Sequence, residues 1–260
     1  MHVFIHYIIT TMKVEIVDNL HHLNQEFYQS FSHSFSLTRQ RVQPGVRRII
    51  NRFNNGEKWL DVGCGNGNLA VELLKSGWEG SYLGIDFSEE LVKIAREKAI
   101  FLNLNSQMEL EFSTVDIYHH DWIKNLPDLT WDGITMLAVL HHIPGFQERR
   151  EILQSIRNIL PAGSRLFLSV WQLQNSPRLL KRVQPWSKIG LDENEVEAGD
   201  VLMDWRAQNP DRDEKPGYRY VHLFTEKELD QLAKETGFQV MDRFYSDGKE
   251  GNLALYEEWE

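Results

Sequence analysis

Between residues 58 and 171, apolar runs of strand length alternate with stretches of helical period, and few architectures accommodate that alternation. Lys58–Val62 (KWLDV), Ser81–Asp86 (SYLGID), Met108–Val115, Trp131–Leu137 and Arg165–Trp171 read as strands. The intervening helices carry their own punctuation. One over about 67–76 stops at Gly77. A second opens on Ser88 as N-cap with Glu89 and Glu90 in its first turn, and Leu91, Ile94, Ala95, Ala99 and Leu102 form its apolar face. In a third, over about 146–160, Ile152, Ile156, Ile159 and Leu160 recur at helical spacing, and Pro161-Ala-Gly163 ends it. Strand–helix units in series imply parallel strands, because only a crossover through a helix brings the chain back in the same direction.

The flanks are different. Residues 14–35 have a helical pattern, and 172–217, rich in Asn, Asp, Glu and Pro, reads as an inserted lid with short helical pieces. Thr225 with Glu228 has the spacing of a capping box, and the helix it opens closes at Gly237. Two last strands, about 238–246 and 251–258, pair antiparallel through Asp247-Gly248-Lys249.

Composition excludes several function classes. One cysteine, Cys64, permits no internal disulfide and no cysteine-based metal framework, which suits a reducing cytoplasm. The longest apolar stretch near the start, Val3–Ile9, is interrupted by His6 and falls far short of the ~20 residues of a membrane helix. It also lacks the features of a secretory signal, so residues 1–11 are expected to be a tail or a misassigned start, with a short edge strand as the alternative. Of the net charge of -10, nothing lies in residues 1–188, which hold 20 Lys+Arg against 19 Asp+Glu; residues 189–260 hold 8 against 19. Two stretches without acids, 38–52 with five arginines and 172–188 with four basic residues, are candidate contacts for an anionic substrate or, equally, solvated faces.

Asp61-Val-Gly63-Cys-Gly65-Asn-Gly67 follows a strand and opens a helix, so its glycines let backbone approach a ligand at the carboxyl edge of the sheet. The spacing is neither that of a dinucleotide loop nor that of a phosphate loop, which disfavours NAD and ATP. Asp86 ends the second strand, where a carboxylate accepts both hydroxyls of a ribose, and Asp116 follows the third, in reach of an adenine amino group.

WLDVGCGNG, GIDFS, TVDIY and GITMLAVLHHIP resemble the successive motifs of class I S-adenosylmethionine-dependent methyltransferases over about 55–175. The resemblance implies that Gly63, Gly65 and Gly67 line the methionine part of S-adenosyl-L-methionine and that Asp61 lies near its amino group. It puts Asp86 on the ribose, Asp116 with Ile117 at the adenine and Leu137 with Ala138 under the sulfonium; Tyr28 and Phe87 complete the implied set. The implied fold is α/β: a seven-stranded, mostly parallel Rossmann-like sheet with one antiparallel edge strand and helices on both faces. It divides the chain into a tail, 1–12, and a single domain, 13–260, made of a helical cap (13–55), a cofactor-binding core (56–171), the lid (172–217) and the C-terminal part of the sheet (218–260).

FYQSFSHSFSLTRQR, HHIPGFQERREIL, LFLSVWQ and YRYVHLFTEKELDQLAKETGF are similar to the tRNA methyltransferases that esterify the carboxymethyl group of the wobble uridine, a family whose eukaryotic members work with a small zinc-containing partner. Gln40 and Gln43 stand where that family has aromatic residues, and the segment before YRY is short and acidic instead of Lys-rich. The implied acceptor is tRNA; the rival acceptor is a small-molecule carboxylate or natural product, and a third reading is a non-catalytic cofactor-binding module.

A carboxylate acceptor is ionised at neutral pH and needs no general base, only groups that orient it. The candidates are Arg39, His141, His142, Trp171, Tyr220 and His222. Arg39 offers a bidentate fork and Trp171 a wall or a stacking face. The pairs His21-His22 and His119-His120 lack cysteine or clustered carboxylate neighbours in sequence, and no metal site is expected.

Overall fold

The computed structural model of the chain describes residues 12–38, 42–102, 107–205 and 217–260. The opening residues 1–11 and Arg39 lie outside them.

Five strands follow the alternation: β1 (Lys58–Val62), β2 (Ser81–Asp86), β3 (Glu109–Thr114), β4 (Gly133–Leu137) and β5 (Arg165–Trp171). Their apolar runs bury both faces, as parallel strands between two helix layers must; Leu60, Val62, Ile85, Ile134, Leu166 and Leu168 are all buried. Two later strands, β9 (Val240–Ser246) and β10 (Ala254–Trp259), join them in the order β3-β2-β1-β4-β5-β10-β9. Antiparallel pairing is confined to one margin of this sheet. There β10 runs against both β5 (Ala254 opposite Trp171) and β9 (Ala254 opposite Ser246), so the reversed strand is second from the outside. The turn between β9 and β10 holds Asp247 and Gly248 at φ 68 and 71.

The helices are α1 (Val14–Thr38), α2 (Pro44–Ile50), α3 (Asn68–Ser76), α4 (Glu89–Leu102), α5 (Phe146–Ile159), the single turn α6 (Pro177–Leu180) and α7 (Glu226–Glu235). No described helix is long and apolar enough to cross a membrane. On α4 the expected face is rotated slightly: Val92 is fully buried, whereas Leu102 is 40% exposed. Thr225 caps α7 by accepting the Glu228 N–H at 3.2 Å. The Glu228 carboxylate does not close the expected box; it turns to Arg149 and His222, where a buried cation holds it.

The lid is more regular than its composition suggests. β6 (Val183–Gln184), β7 (Asp200–Trp205) and β8 (Gly217–His222) form a separate antiparallel sheet, with α6 and three short 3-10 turns before β7. Residues 218–222 were expected to continue the main sheet; instead β8 pairs with β7 in full register, Asp200 opposite His222 and Trp205 opposite Gly217. The physical reason is α1. Ile16 and Leu20 pack with Trp186, Leu202 and Tyr220 in one apolar cluster, giving the small sheet a core of its own. The Asn24 side chain adds hydrogen bonds to the backbone N–H and carbonyl of Tyr220.

Candidate active site

The loop after β1 is built on left-handed backbone. Gly63, Gly65 and Gly67 have φ 73, 54 and 75, and a Cβ on Gly63 would stand 2.3 Å from a Val139 methyl, so neither conformation nor space admits a side chain there. Asp86 ties this loop to β2: its Oδ2 accepts the Gly65 N–H and its Oδ1 the Ser88 N–H, both at 2.9 Å. Burial, reinforced by the charge of Asp116, pushes the Asp86 carboxyl up to about 6 despite those two donors. Asp61 is buried below the loop, where Thr135 donates to its Oδ1 at 2.6 Å and Tyr82 to its Oδ2. Burial lifts it also to about 6, with Asp86 adding to the rise. By accepting from a side chain on β2 and one on β4, Asp61 ties β1 to both of its neighbours in the sheet.

Asp116 meets the N-terminal helix. Gln25 donates to its Oδ2 at 2.7 Å, the Tyr118 N–H to its Oδ1 at 3.0 Å, and His21 lies at 3.5 Å while stacking on Tyr118. Burial alone would raise its pKa, but His21, the Tyr118 N–H and His119 hold the carboxyl below the ordinary range. Ile117 and Leu137 are partly buried against the core clusters, and Phe87 meets Tyr28 edge-on at 6.0 Å. Ala138 is a non-glycine residue at φ 57, held there by its N–H, which reaches both the carbonyl and the hydroxyl of Ser169 at 3.0 Å.

These residues fit an adenosyl cofactor. A carboxylate offers about four lone-pair positions; Asp86 spends two on backbone N–H groups, leaving acceptors for the two hydroxyls of a ribose. Beside it, the left-handed loop brings backbone close without a side chain in between.

The acceptor residues expected from sequence separate into two groups. His142 and Trp171 come together, ring centroids 5.3 Å apart, with Tyr28 donating or accepting at 2.7 Å from His142 Nε2. His141 is fully buried under Trp171, whose N–H reaches its Nδ1 at 3.4 Å. Tyr220 and His222 face away. Strand alternation puts them on the side of β8 opposite Arg219, in a buried network where Tyr220 donates to Asp200 at 2.7 Å and His222 lies between Asp200 (2.6 Å) and Glu228 (2.9 Å). Arg149 completes the network, bonding Glu197 at 2.6 Å and Glu228 at 3.3 Å; Tyr220 and the acids keep its pKa raised although burial opposes it. Glu197, Asp200 and His222 bring three ligand atoms within 4.8 Å of one another, but the Arg149 guanidinium already supplies the positive charge there.

Sequence reasoning missed Arg219. Its guanidinium is buried and lies over three aromatic faces, Trp171 at 4.7 Å, Phe27 at 5.1 Å and Trp205 at 5.6 Å, and its Nε and Nη1 have no hydrogen-bond partner among the described residues. Burial lowers its pKa, with the Tyr28 hydroxyl as its hydrogen-bonding neighbour. The arginine stretch 38–52 fares differently: Arg47 meets Glu72, Arg48 meets Asp242, and Arg52 meets Asp242 and Glu258. The acids missing from the local sequence come from the folded neighbours.

Residues 35–242 match the methyltransferase domain family. A probable tRNA methyltransferase 9B of Bos taurus is 25% identical over 198 residues, 75% of this chain and 39% of its own length, so the match spans well under half of that relative. A tRNA (carboxymethyluridine(34)-5-O)-methyltransferase of Schizosaccharomyces pombe is 25% identical over 235 residues, 85% of this chain and 90% of its own length. The crystal structure of an S-adenosylmethionine-dependent methyltransferase from Methanosarcina mazei superposes with a TM-score of 0.60 at 24% identity, covering 84% of this chain and 97% of that one. The chain therefore belongs to the methyltransferase domain family and has the fold of the S-adenosylmethionine-dependent methyltransferases.

Proposed function

We propose that the protein transfers a methyl group from S-adenosylmethionine to a carboxylate, and that this carboxylate is the carboxymethyl group of the modified wobble uridine in tRNA. The observation that carries the reading is Arg219: a buried guanidinium inside an aromatic cage whose Nε–H and Nη1–H have no partner among the described residues. Leaving a buried donor unmade costs roughly 1–3 kcal/mol, and a carboxylate oxygen brought against the guanidinium satisfies one. When bound, the cofactor supplies a sulfonium methyl; the carboxylate oxygen forms the new bond, sulfur keeps the electron pair of the broken one, and no proton moves. The acceptor loses its charge as it becomes an ester, so a cation that held it too tightly would favour the ground state. Trp171, Phe27 and Trp205 moderate that hold by sharing the guanidinium charge.

The tRNA acceptor is supported by the names of relatives such as the fission-yeast enzyme. It is also supported by the basic stretch that leads directly out of Trp171, in which Arg178, Lys181 and Lys188 are exposed. A cytoplasmic location follows from that acceptor. The small activating partner implied by the resemblance would find apolar surface at the end of α4, where Ile100 and Phe101 are 73% and 79% exposed beside the outermost strand β3. The acidic residues 189–260 favour the rival, a small-molecule carboxylate.

The test is transfer of a labelled methyl group, with and without the partner protein, to separate pools of tRNA and of metabolites. Label in a base-labile ester on tRNA is the expected result, and label only in metabolites refutes the tRNA acceptor. Arg219→Lys keeps the charge and loses the planar guanidinium, and should slow transfer by about 30-fold, about 2 kcal/mol, with cofactor affinity preserved. Unchanged transfer in this variant refutes the role of Arg219.

A further inference from the structure

On the face of β8 opposite Arg219, the imidazole of His222 is 2% exposed and both of its nitrogens face carboxylates. Nδ1 stands 2.6 Å from Asp200 Oδ1, and Nε2 stands 2.9 Å from Glu228 Oε2. A neutral imidazole has one N–H and one lone pair. Whichever nitrogen lacked hydrogen would press its lone pair on a carboxylate oxygen. The two acids also have donors of their own: the Tyr220 hydroxyl donates to Asp200 Oδ1 at 2.7 Å, the Glu197 N–H to Asp200 Oδ2 at 2.9 Å, and Arg149 to Glu228 Oε1 at 3.3 Å. An ionised carboxylate only accepts, and each of these contacts asks it to accept. The proton between Asp200 and Glu228 therefore belongs to the ring.

Among the described residues, the titratable and charged groups that surround this ring are Asp200 on β7, Glu197 just before it, Tyr220 on β8, Arg149 on α5 and Glu228 on α7. Three acids face one guanidinium, so the imidazolium brings a second cation to a buried excess of negative charge. Gly199, at φ 99, passes so near that a Cβ there would stand 3.2 Å from His222 Cε1. Backbone is packed on the ring, and a lost proton is met by a movement of the strand rather than by a turn of the side chain. That strand carries Arg219. The guanidinium lies between Trp205, which belongs to the small sheet, and Trp171, which ends β5 of the main sheet, so the spacing of the cage depends on how the small sheet is seated. The ion network is the polar part of that seat, joining Asp200 and His222 to Arg149 and Glu228 on the helices. The apolar part is elsewhere: Val221 and Met203 pack with Leu173, which keeps the sheet docked when the charge is lost.

We propose that His222 is a positioning residue for methyl transfer, which as an imidazolium seats the small sheet on α5 and α7 and thereby sets where Arg219 lies against Trp171. The proposal rests on the carboxylate reading for its purpose and on the ion network for its geometry. His222 was expected to touch the acceptor; it acts on the acceptor through the strand it shares with Arg219.

The direct experiment is nitrogen–proton NMR of the full chain with labelled histidine and tryptophan, well below its melting temperature. His222 is assigned by difference from His222→Gln, and the two cage indoles from Trp171→Phe and Trp205→Phe. The expected wild-type pattern at about pH 7 is a doubly protonated His222, where exposed histidines are mostly neutral. As pH is raised, the indole N–H signals of Trp171 and Trp205 should shift with the same midpoint as His222. Glu228→Gln removes one of the two acids and puts an amide where it can donate to a neutral nitrogen, so His222 should lose its second proton at a pH about 1 lower, and the indole shifts should move with it. In transfer assays the acceptor KM should rise about fivefold through the wild-type midpoint, with cofactor affinity within about twofold, and that rise should follow the midpoint in Glu228→Gln. A wild-type His222 that is neutral at about pH 7 overturns the proposal without recourse to any variant. So do indole signals that stay in place while His222 titrates, and so does an unchanged His222 midpoint in a Glu228→Gln protein shown to be folded by its melting curve. The NMR measurements need no acceptor, so their failure overturns the seating alone. Absence of methyl esters on every carboxylate offered overturns the acceptor reading alone.

Discussion

Asp86 combines a structural cost with the ribose-binding role proposed for it. Its folded carboxyl ionises near about 6, against an ordinary value of 3.8, because burial and the Asp116 charge disfavour the anion. The cost is absent below about 3.8, grows as pH rises toward about 6, and is constant above that, where it offsets up to about 3 kcal/mol of folding energy. Asp86→Asn removes the charge but keeps only one of the two backbone hydrogen bonds, so the net gain at pH 7.5 should be about 1 kcal/mol, about 2 °C in melting temperature. The same change should weaken cofactor binding more than tenfold, and wild-type affinity should fall below about pH 6 as the acceptor lone pairs are protonated. Calorimetry with melting curves across pH checks both halves; an Asp86→Asn protein several degrees less stable at pH 7.5 contradicts the argument. The motif made Asp86 legible because a carboxylate at a strand end needs only local order to be recognised. Arg219 was not legible, since its meaning comes from Phe27, Trp171 and Trp205, which are distant in sequence. Arg39, expected to offer the acceptor a bidentate fork, lies outside the described residues.

The strand β8 has two faces with different tasks, and the YRYVH pattern alone did not say which face served the site. Arg219 points to Trp171, while Tyr220 and His222 enter the network with Asp200, Glu228 and Arg149 that ties the small sheet to α5 and α7. Both His222 nitrogens face carboxylates, so the imidazolium is the form that satisfies them. Burial and Arg149 push its pKa down, but the bonds to Asp200 and Glu228 outweigh them and raise it above 6.5. A raised histidine stabilises most below its unfolded value, so this contribution is complete below about 6.5 and is lost as pH rises through the folded value. Melting temperature should therefore fall as pH is raised above about 6.5, and His222→Gln should lose that slope; parallel slopes in the two proteins refute it. The network also explains why the box at the start of α7 stays half closed: Glu228 satisfies a buried charge that the sequence pattern Thr225-to-Glu228 does not reveal.

The order of elements in the main sheet was readable because parallel strands buried on both faces leave continuous apolar runs, and each glycine or proline that ends a helix falls where the period breaks. The reversed strand was recognisable only as one of a pair, for hairpin signals do not say where a hairpin docks. Its last residue, Trp259, is fully buried, packs on Phe238 at 5.6 Å and donates to Glu257 at 2.6 Å. Trp259→Ala should cost about 3–5 kcal/mol, read as a lower urea midpoint with unchanged cofactor affinity in the folded fraction; a loss below about 1 kcal/mol contradicts that role. The position of β10 also governs how the chain matures. During synthesis β5 is complete long before residues 254–259 emerge to pair with it, and β9 reaches the sheet only through β10. Until then the apolar margin of β5 is an open hydrogen-bonding edge. A ribosome that stalls after the helix α7 thus leaves a nascent chain whose strand β5 is available to another copy, and the window for mispairing closes only with β10.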